Sequence, residues 1–242
     1  MVVINYGAFE IEDLKFHSSE FTEAQAIAYN NKFAKRVVLR EVFEYDAVGT
    51  AVPQGWTPGT GVYVVNELAA QDSVLKYLDV GTKYLQCTTA GSLSIICKQA
   101  YGEWEFDLYK GAELNTSRVH FISDRPESYI DENGYMIILN DDEAVGLQRK
   151  DAGAVTRFAS AASYIANTTW YRIRVTRTLD GEFTMWIKGG AFGNVYTLVD
   201  TTDGSPANPE IDNVYIISNY FVLDLDIGDR IANIKIIEGV IQ

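Results

Sequence analysis

The sequence predicts an all-β protein, a sandwich or barrel of many short strands, with one helix near the N-terminus. Three observations predict it. Val, Ile, Tyr, Phe and Thr recur in short runs that alternate apolar and polar residues, the period-2 pattern of half-buried strands. Gly, Asn and Asp punctuate those runs at hairpin distances. No helix-length segments alternate with the strands, which excludes a parallel α/β fold, and no fixed-period repeat suggests a propeller or solenoid. At 242 residues the chain is long enough to bury a substantial core.

Residues 1–49 read as an N-terminal anchoring or oligomerisation segment, and residues 50–242 as the β domain. The segment holds the one predicted helix, about Thr22–Arg36. Thr22 and Gln25 have capping-box spacing, Phe21 can staple onto Ala26, and Lys32, Lys35 and Arg36 sit where the helix dipole favours cations. Val37–Tyr45 then reads as a strand. The stretch GTAVPQGWTPGTG, Gly49–Gly61, carries two prolines and four glycines and reads as the boundary loop. Trp56 within it argues against a flexible tether.

Strands follow near Val62–Asn66, Val74–Asp79, Lys83–Thr88, Leu93–Lys98, Gly102–Tyr109, Arg118–Ser123, Tyr135–Asn140 and Ala144–Arg149. Further strands are expected at Trp170–Thr178, Glu182–Lys188, Tyr196–Asp200, Val214–Ser218, Phe221–Leu225 and Ala232–Glu238. The clearest hairpin is WYRIRVTRTLDGEFTMWIK, Trp170–Lys188. A two-residue Asp180-Gly181 turn would scramble its apolar face. A three-residue loop, Leu179-Asp180-Gly181, sets Val175 against Met185 and Ile173 against Ile187, with Gly181 in the left-handed position. A second hairpin is expected around Thr89-Ala90-Gly91, pairing Cys87 with Leu93 and giving Leu85, Cys87, Leu93, Ile95 and Cys97 one apolar face. The cysteines are then not opposite one another, and a bridge needs Cα atoms roughly 4.4–6.8 Å apart. They read as buried thiols.

The formal charge of −13 repels phosphate backbones and anionic lipids, which argues against nucleic-acid and membrane-surface binding. Met1-Val-Val-Ile-Asn lacks the basic start and cleavable apolar stretch of a signal peptide, and no run is long and apolar enough to span a bilayer. The expectation is a chain that folds in a cytoplasm.

Three clusters carry candidate chemistry. On Gly102–Tyr109, Glu103, Glu105 and Asp107 share the face opposite Trp104, Phe106 and Leu108. Their mutual repulsion raises at least one pKa, which is how an acid/base pair is made, and alternate residues on a strand approach the roughly 5–5.5 Å of a retaining glycosidase pair. The bland alternative is a salt-bridged surface, with Arg118 and His120 of the next strand facing the acids. Second, Arg172, Arg174, Trp186 and Lys188 form a basic, aromatic patch with Arg174 across from Trp186. It reads as a sugar-stacking or partner-docking surface, or as a face covered by the N-terminal segment, a loop or another subunit. Third, Asp224, Asp226 and Asp229 offer oxygens to Ca²⁺. Asp224 and Asp226 are expected to face outward, but the spacing is not an EF-hand loop and a strand-end turn explains it equally. Asp141 and Asp142 read as hairpin-loop residues. With only His17 and His120, a His-rich zinc site is not expected. There is no nucleophile elbow, P-loop or dinucleotide fingerprint.

From about Trp56 onward the order of features resembles a concanavalin A-like lectin/glucanase sandwich of the laminin G type, of the kind seen in virion structural proteins of tailed bacteriophages. The stretches that carry it are GWTPGTGVYVV, AYGEWEFDLYKG, GYMIIL with AVGLQRKDAG, TTWYRIRVTRTLDGEFTMWIKGG and YFVLDLDIGDRIANIKI. The resemblance implies a two-sheet antiparallel jelly roll that binds glycans, sometimes with Ca²⁺, makes protein contacts or, in the glucanase branch, hydrolyses β-glucans. That branch carries Glu-x-Asp-x-Glu on one strand; here Glu103, Glu105 and Asp107 place the acid types differently. The expectation is a non-enzymatic virion component, decorating a capsid or tail, assembled in the host cytoplasm as a homo-oligomer, a trimer by analogy. Its expected partners are other virion proteins and host-surface glycans. The alternatives are a lectin without a virion role and a glycoside hydrolase.

Overall fold

Every strand pairing is antiparallel, and the strands divide into two sheets packed face to face. The computed structural model describes residues 36–68, 82–111, 116–127, 132–139, 144–161, 165–199 and 210–239. The helix expected from Thr22, the strand expected at Val74–Asp79 and the Asp141-Asp142 loop lie outside the described residues. The strands are β1 (Val37–Glu41), β2 (Thr57–Pro58), β3 (Val62–Glu67), β4 (Lys83–Thr89), β5 (Gly91–Ile96), β6 (Gly102–Lys110), β7 (Ser117–Ser123) and β8 (Asn133–Leu139). They continue with β9 (Val145–Asp151), β10 (Ala154–Ala161), β11 (Thr169–Arg177), β12 (Glu182–Lys188), β13 (Thr197–Leu198), β14 (Glu210–Ile211), β15 (Tyr220–Leu225) and β16 (Arg230–Glu238). The nine-stranded sheet runs β13-β12-β11-β6-β16-β4-β3, with β1 also on β16 and β14 also on β12; the seven-stranded sheet runs β10-β9-β8-β7-β15-β5-β2. Among the described residues no helix is long and apolar enough to cross a membrane.

The core lies between the sheets and follows the sequence alternation. Trp104, Phe106 and Leu108 of β6 and Tyr171, Ile173 and Val175 of β11 point inward, against Val119 and Phe121 of β7 and Phe221 and Leu223 of β15. Trp104 meets Phe121 at a ring separation of 5.0 Å. The β11–β12 hairpin has the expected register, with Val175 opposite Met185 and Ile173 opposite Ile187. Gly181 closes its loop at φ +82°. At Gly102, φ is +126° and a Cβ would stand 2.1 Å from the Ile237 carbonyl oxygen, so β16 can approach β6 there only because residue 102 has no side chain. Trp56 is buried against Phe43 and Phe221, as its place in the Gly49–Gly61 loop suggested.

Several expectations are corrected. Lys83–Lys98 is not a hairpin: β4 pairs with β3 and β16, whereas β5 pairs with β15 and β2, so the chain crosses from one sheet to the other at Thr89–Gly91. Leu85, Cys87 and Leu93 still meet in one core, but from opposite sheets. Both thiols are buried, and burial pushes Cys87 up to about 12. Val214–Ser218 forms no strand. Its neighbourhood is pinned by the buried Arg177, which donates to the carbonyls of Tyr215 (2.6 Å) and Asp212 (2.9 Å), so a side chain takes acceptors that a ladder would have used. The strand after Arg36 stops at Glu41 because Glu41 turns back to accept from the Phe43 N–H and Phe43 has φ +58°. β10 escaped the sequence reading because VTRFASA lacks a clean alternation.

At one end of the sandwich a buried ion pair joins the sheets. Lys110, at the end of β6, lies 3.3 Å from Asp229, with side-chain exposures of 3% and 0%. Asp229 also accepts from the Gly111 N–H (2.5 Å) and from the Ser117 hydroxyl at the start of β7. Burial pushes the Asp229 carboxyl up, and these donors only partly offset it. Removing the cation leaves a buried charge without its partner, so Lys110→Met is expected to cost about 3–5 kcal/mol. Urea unfolding should show a lower midpoint with an unchanged slope; an unchanged midpoint would mean that the pair adds nothing to stability.

Candidate functional site

The two clusters read separately from the sequence are neighbours on one face. On the outer face of the nine-stranded sheet, Arg174 lies between Glu105 of β6 and Trp186 of β12, and Arg172 lies between Asp107 and Lys188. Successive residues of a strand point to opposite faces, so the same registers that bury Phe106, Ile173 and Ile187 set these side chains outward together.

Within this face Glu105 is the electrostatic hub. Its Oε1 accepts from Arg172 Nε at 3.0 Å and from the Tyr196 hydroxyl. Burial alone would raise its carboxyl, but the Arg172 hydrogen bond and charge, the Tyr196 hydroxyl and the charge of Lys235 together hold it below its ordinary value. Conversely, burial and the adjoining carboxylate raise the Tyr196 phenol, which stays protonated as a donor. Asp107 is buried and accepts from Asn233 Nδ2 at 2.9 Å. A β-bulge between Ala232 and Lys235 in β16 aims Asn233 there, at φ +48°. Glu103 lies farther along β6, opposite Thr176.

Two rings complete the patch. The Arg174 guanidinium lies 4.4 Å from the Trp186 ring centre and 4.8 Å from that of Tyr196, and Lys188 Nζ lies 4.7 Å from the Tyr196 ring. All four residues are partly exposed. Tyr196 was not singled out in the sequence: it follows a glycine-rich connection whose length hid the return of the chain to β12. Across the same sheet Arg230 stacks on Tyr109 and Tyr84, beside Trp170. These residues likewise carry no motif and meet only through the sheet order.

The remaining candidates are not brought together. Arg118 and His120 belong to the seven-stranded sheet and do not face the β6 acids. Arg118 lies 3.3 Å from Asp224, and His120 Nδ1 lies 2.8 Å from the buried Glu132. Asp226 is buried, not outward-facing. A Ca²⁺ ion does not fit Asp224, Asp226 and Asp229: Arg118 holds the first, and around Asp229 the Lys110 ammonium and two neutral donors take the positions a cation would need. Among the described residues no three acidic, His or Cys side chains cluster as metal ligands.

No protein-family model and no curated protein matches the chain. Solved structures do. A protein of unknown function from Shewanella oneidensis MR-1 is similar at a TM-score of 0.50 and 10% identity, over 92% of this chain and 97% of that one. The conserved carbohydrate esterase of the Shiga toxin-encoding bacteriophage phi24B gives 0.49 and 12%, over 85% and 100%. The carbohydrate binding module CBM66 from Bacillus subtilis gives 0.44 and 14%, over 77% and 93%. At these identities the likeness concerns the fold.

The lowered Glu105 pKa gives a signed prediction. Its stabilisation is fully present above the ordinary carboxylate value of 4.5 and is lost as the pH falls through the folded-state value below it. Glu105→Gln should therefore destabilise the protein at pH 7 by about 1.5–3 kcal/mol, the range for a hydrogen bond to a charged group. The gap between wild type and variant should shrink as the pH is lowered from 5 to 3. Urea midpoints at each pH check this; a gap that widens in acid would contradict the assignment.

Proposed function

We propose that this chain is a non-enzymatic carbohydrate-binding β-sandwich that serves as a decoration or adhesion component of a bacteriophage particle. The observation that carries the binding reading is the Trp186–Tyr196 pair. Both rings stand partly exposed on the outer sheet face and are fixed by Arg174, Lys188 and Glu105. Sugars present apolar C–H faces to aromatic rings and hydroxyls to charged groups, and such a face supplies both. The virion reading is supported by the sequence resemblance to phage structural domains. It also suits residues 36–49, which are tied into the sandwich where β1 pairs with β16 and can hold an anchoring segment against it.

The acids support a binding role over hydrolysis. A retaining glycosidase needs one carboxyl with a raised pKa to protonate the leaving oxygen. Glu105 is held ionised by Arg172 and Tyr196, and Asp107 is buried beneath Asn233.

Trp186→Ala tests the face. On a glycan array and by calorimetry, the variant should bind the preferred glycan roughly thirtyfold more weakly, about 2 kcal/mol, as for a contact central to an interface. Unchanged affinity would remove this face from the reading. Light scattering tests the assembly: the full chain is expected to form a closed oligomer and a chain beginning at Arg36, which keeps β1 and the buried Phe43, a monomer. A monomeric full chain would sink the virion-decoration reading and leave a lectin module.

A further inference from the structure

Resting on that binding reading, we infer that the glycan carries an acidic group, a carboxylate or a sulfate, and that Arg174 receives it. Arg174 and Glu105 are directly opposite one another on adjacent strands, where opposite charges ordinarily pair. They do not pair. Glu105 turns to Arg172 and Tyr196 instead. Arg174 makes no ion pair or hydrogen bond with any described residue, and its Nε–H is buried without an acceptor. Its contacts are the ring faces of Trp186 and Tyr196, 4.4 and 4.8 Å from the guanidinium carbon.

A guanidinium held over two rings has lost rotamer freedom before any ligand arrives, and its donors point along the plane of the fork. A carboxylate or sulfate accepts two such N–H bonds in parallel, and charge-assisted bonds of this kind are roughly twice as strong as neutral ones. A neutral sugar hydroxyl satisfies one donor and leaves the charge uncompensated. Lys188, whose Nζ lies 4.7 Å from the Tyr196 ring centre, adds a second positive charge to the patch. The arrangement therefore discriminates acidic from neutral sugars.

The test is a glycan array holding sialylated, uronate-containing, sulfated and neutral oligosaccharides, followed by calorimetry on the best acidic ligand and its neutral counterpart. Acidic glycans are expected to bind at least tenfold more tightly. Arg174→Met should abolish that preference while leaving the circular dichroism spectrum and melting temperature near wild type. Should the Met variant fold poorly, Arg174→Lys keeps the charge without the fork and should retain only part of the preference. The uronate, sialic acid and sulfate arms tell which acid is read. Equal binding of acidic and neutral glycans, or a preference that survives in Arg174→Met, overturns the inference and leaves the binding-module reading standing. Absence of all glycan binding overturns both.

Discussion

Three connections between the sheets converge on Asp229. The first leaves β6 at Lys110 and enters β7 at Ser117; the second turns from β15 into β16 through Asp226 and Asp229; the third passes from β4 to β5 at Thr89–Gly91. Lys110, Gly111 and Ser117 all bond to Asp229 side-chain oxygens. Cys87, two residues before the third crossing, bonds through its backbone to Asp229 and Gly228 and through its thiol to the Leu225 carbonyl. The Tyr63 hydroxyl bridges Gly91 and Leu225 across the same end. Chain crossings expose backbone groups that no ladder can satisfy, and burying them without partners is costly. A small number of polar side chains supplies those partners.

That device explains which parts of the fold were legible in the sequence. Face assignment was legible: the alternation in β6, β11 and β12 identifies the inward residues, and the Leu179-Asp180-Gly181 loop was fixed by the demand that Val175 meet Met185. Partner assignment was not always legible. Lys83–Lys98 reads as a hairpin because a hairpin and a crossing between facing sheets both bring Leu85, Cys87 and Leu93 into one core. What separates them is where the backbone hydrogen bonds go, and at Thr89–Gly91 that is settled by Tyr63 and Asp229, distant in sequence. The same limit misplaced Arg118 and His120, which were read as neighbours of the β6 acids because β7 follows β6 in the chain.

The candidate site shows the same division. Arg172, Arg174, Trp186 and Lys188 were readable as one patch because a hairpin fixes their pairing locally. Glu105 and Asp107 were readable as an outward row on their own strand. Their union needed the β6–β11 pairing, across a sequence separation that alternation does not address. Tyr196 and Asn233 needed more: a returning loop in one case, a bulge and a left-handed residue in the other. Both act by fixing a carboxylate, and neither stands out by type or spacing. Two members of that acid row have fixed partners: Arg172 and Tyr196 on Glu105, and Asn233 on Asp107.

The overall charge then gains a role beyond solubility. A chain with a formal charge of −13 repels extended polyanions at long range. That repulsion is screened beyond about 8 Å at physiological ionic strength, whereas a guanidinium contact acts at hydrogen-bond distance. A nucleic acid or an anionic membrane must bring many charges close at once, and each one beyond the patch meets an acidic surface. A single acidic sugar on a short chain brings one, and it meets Arg174 before it meets that surface. On the proposed reading, a repulsive whole with a ring-stacked cation that pairs with no described residue would select for an isolated acidic group over a polyanion, which a uniformly basic surface cannot do.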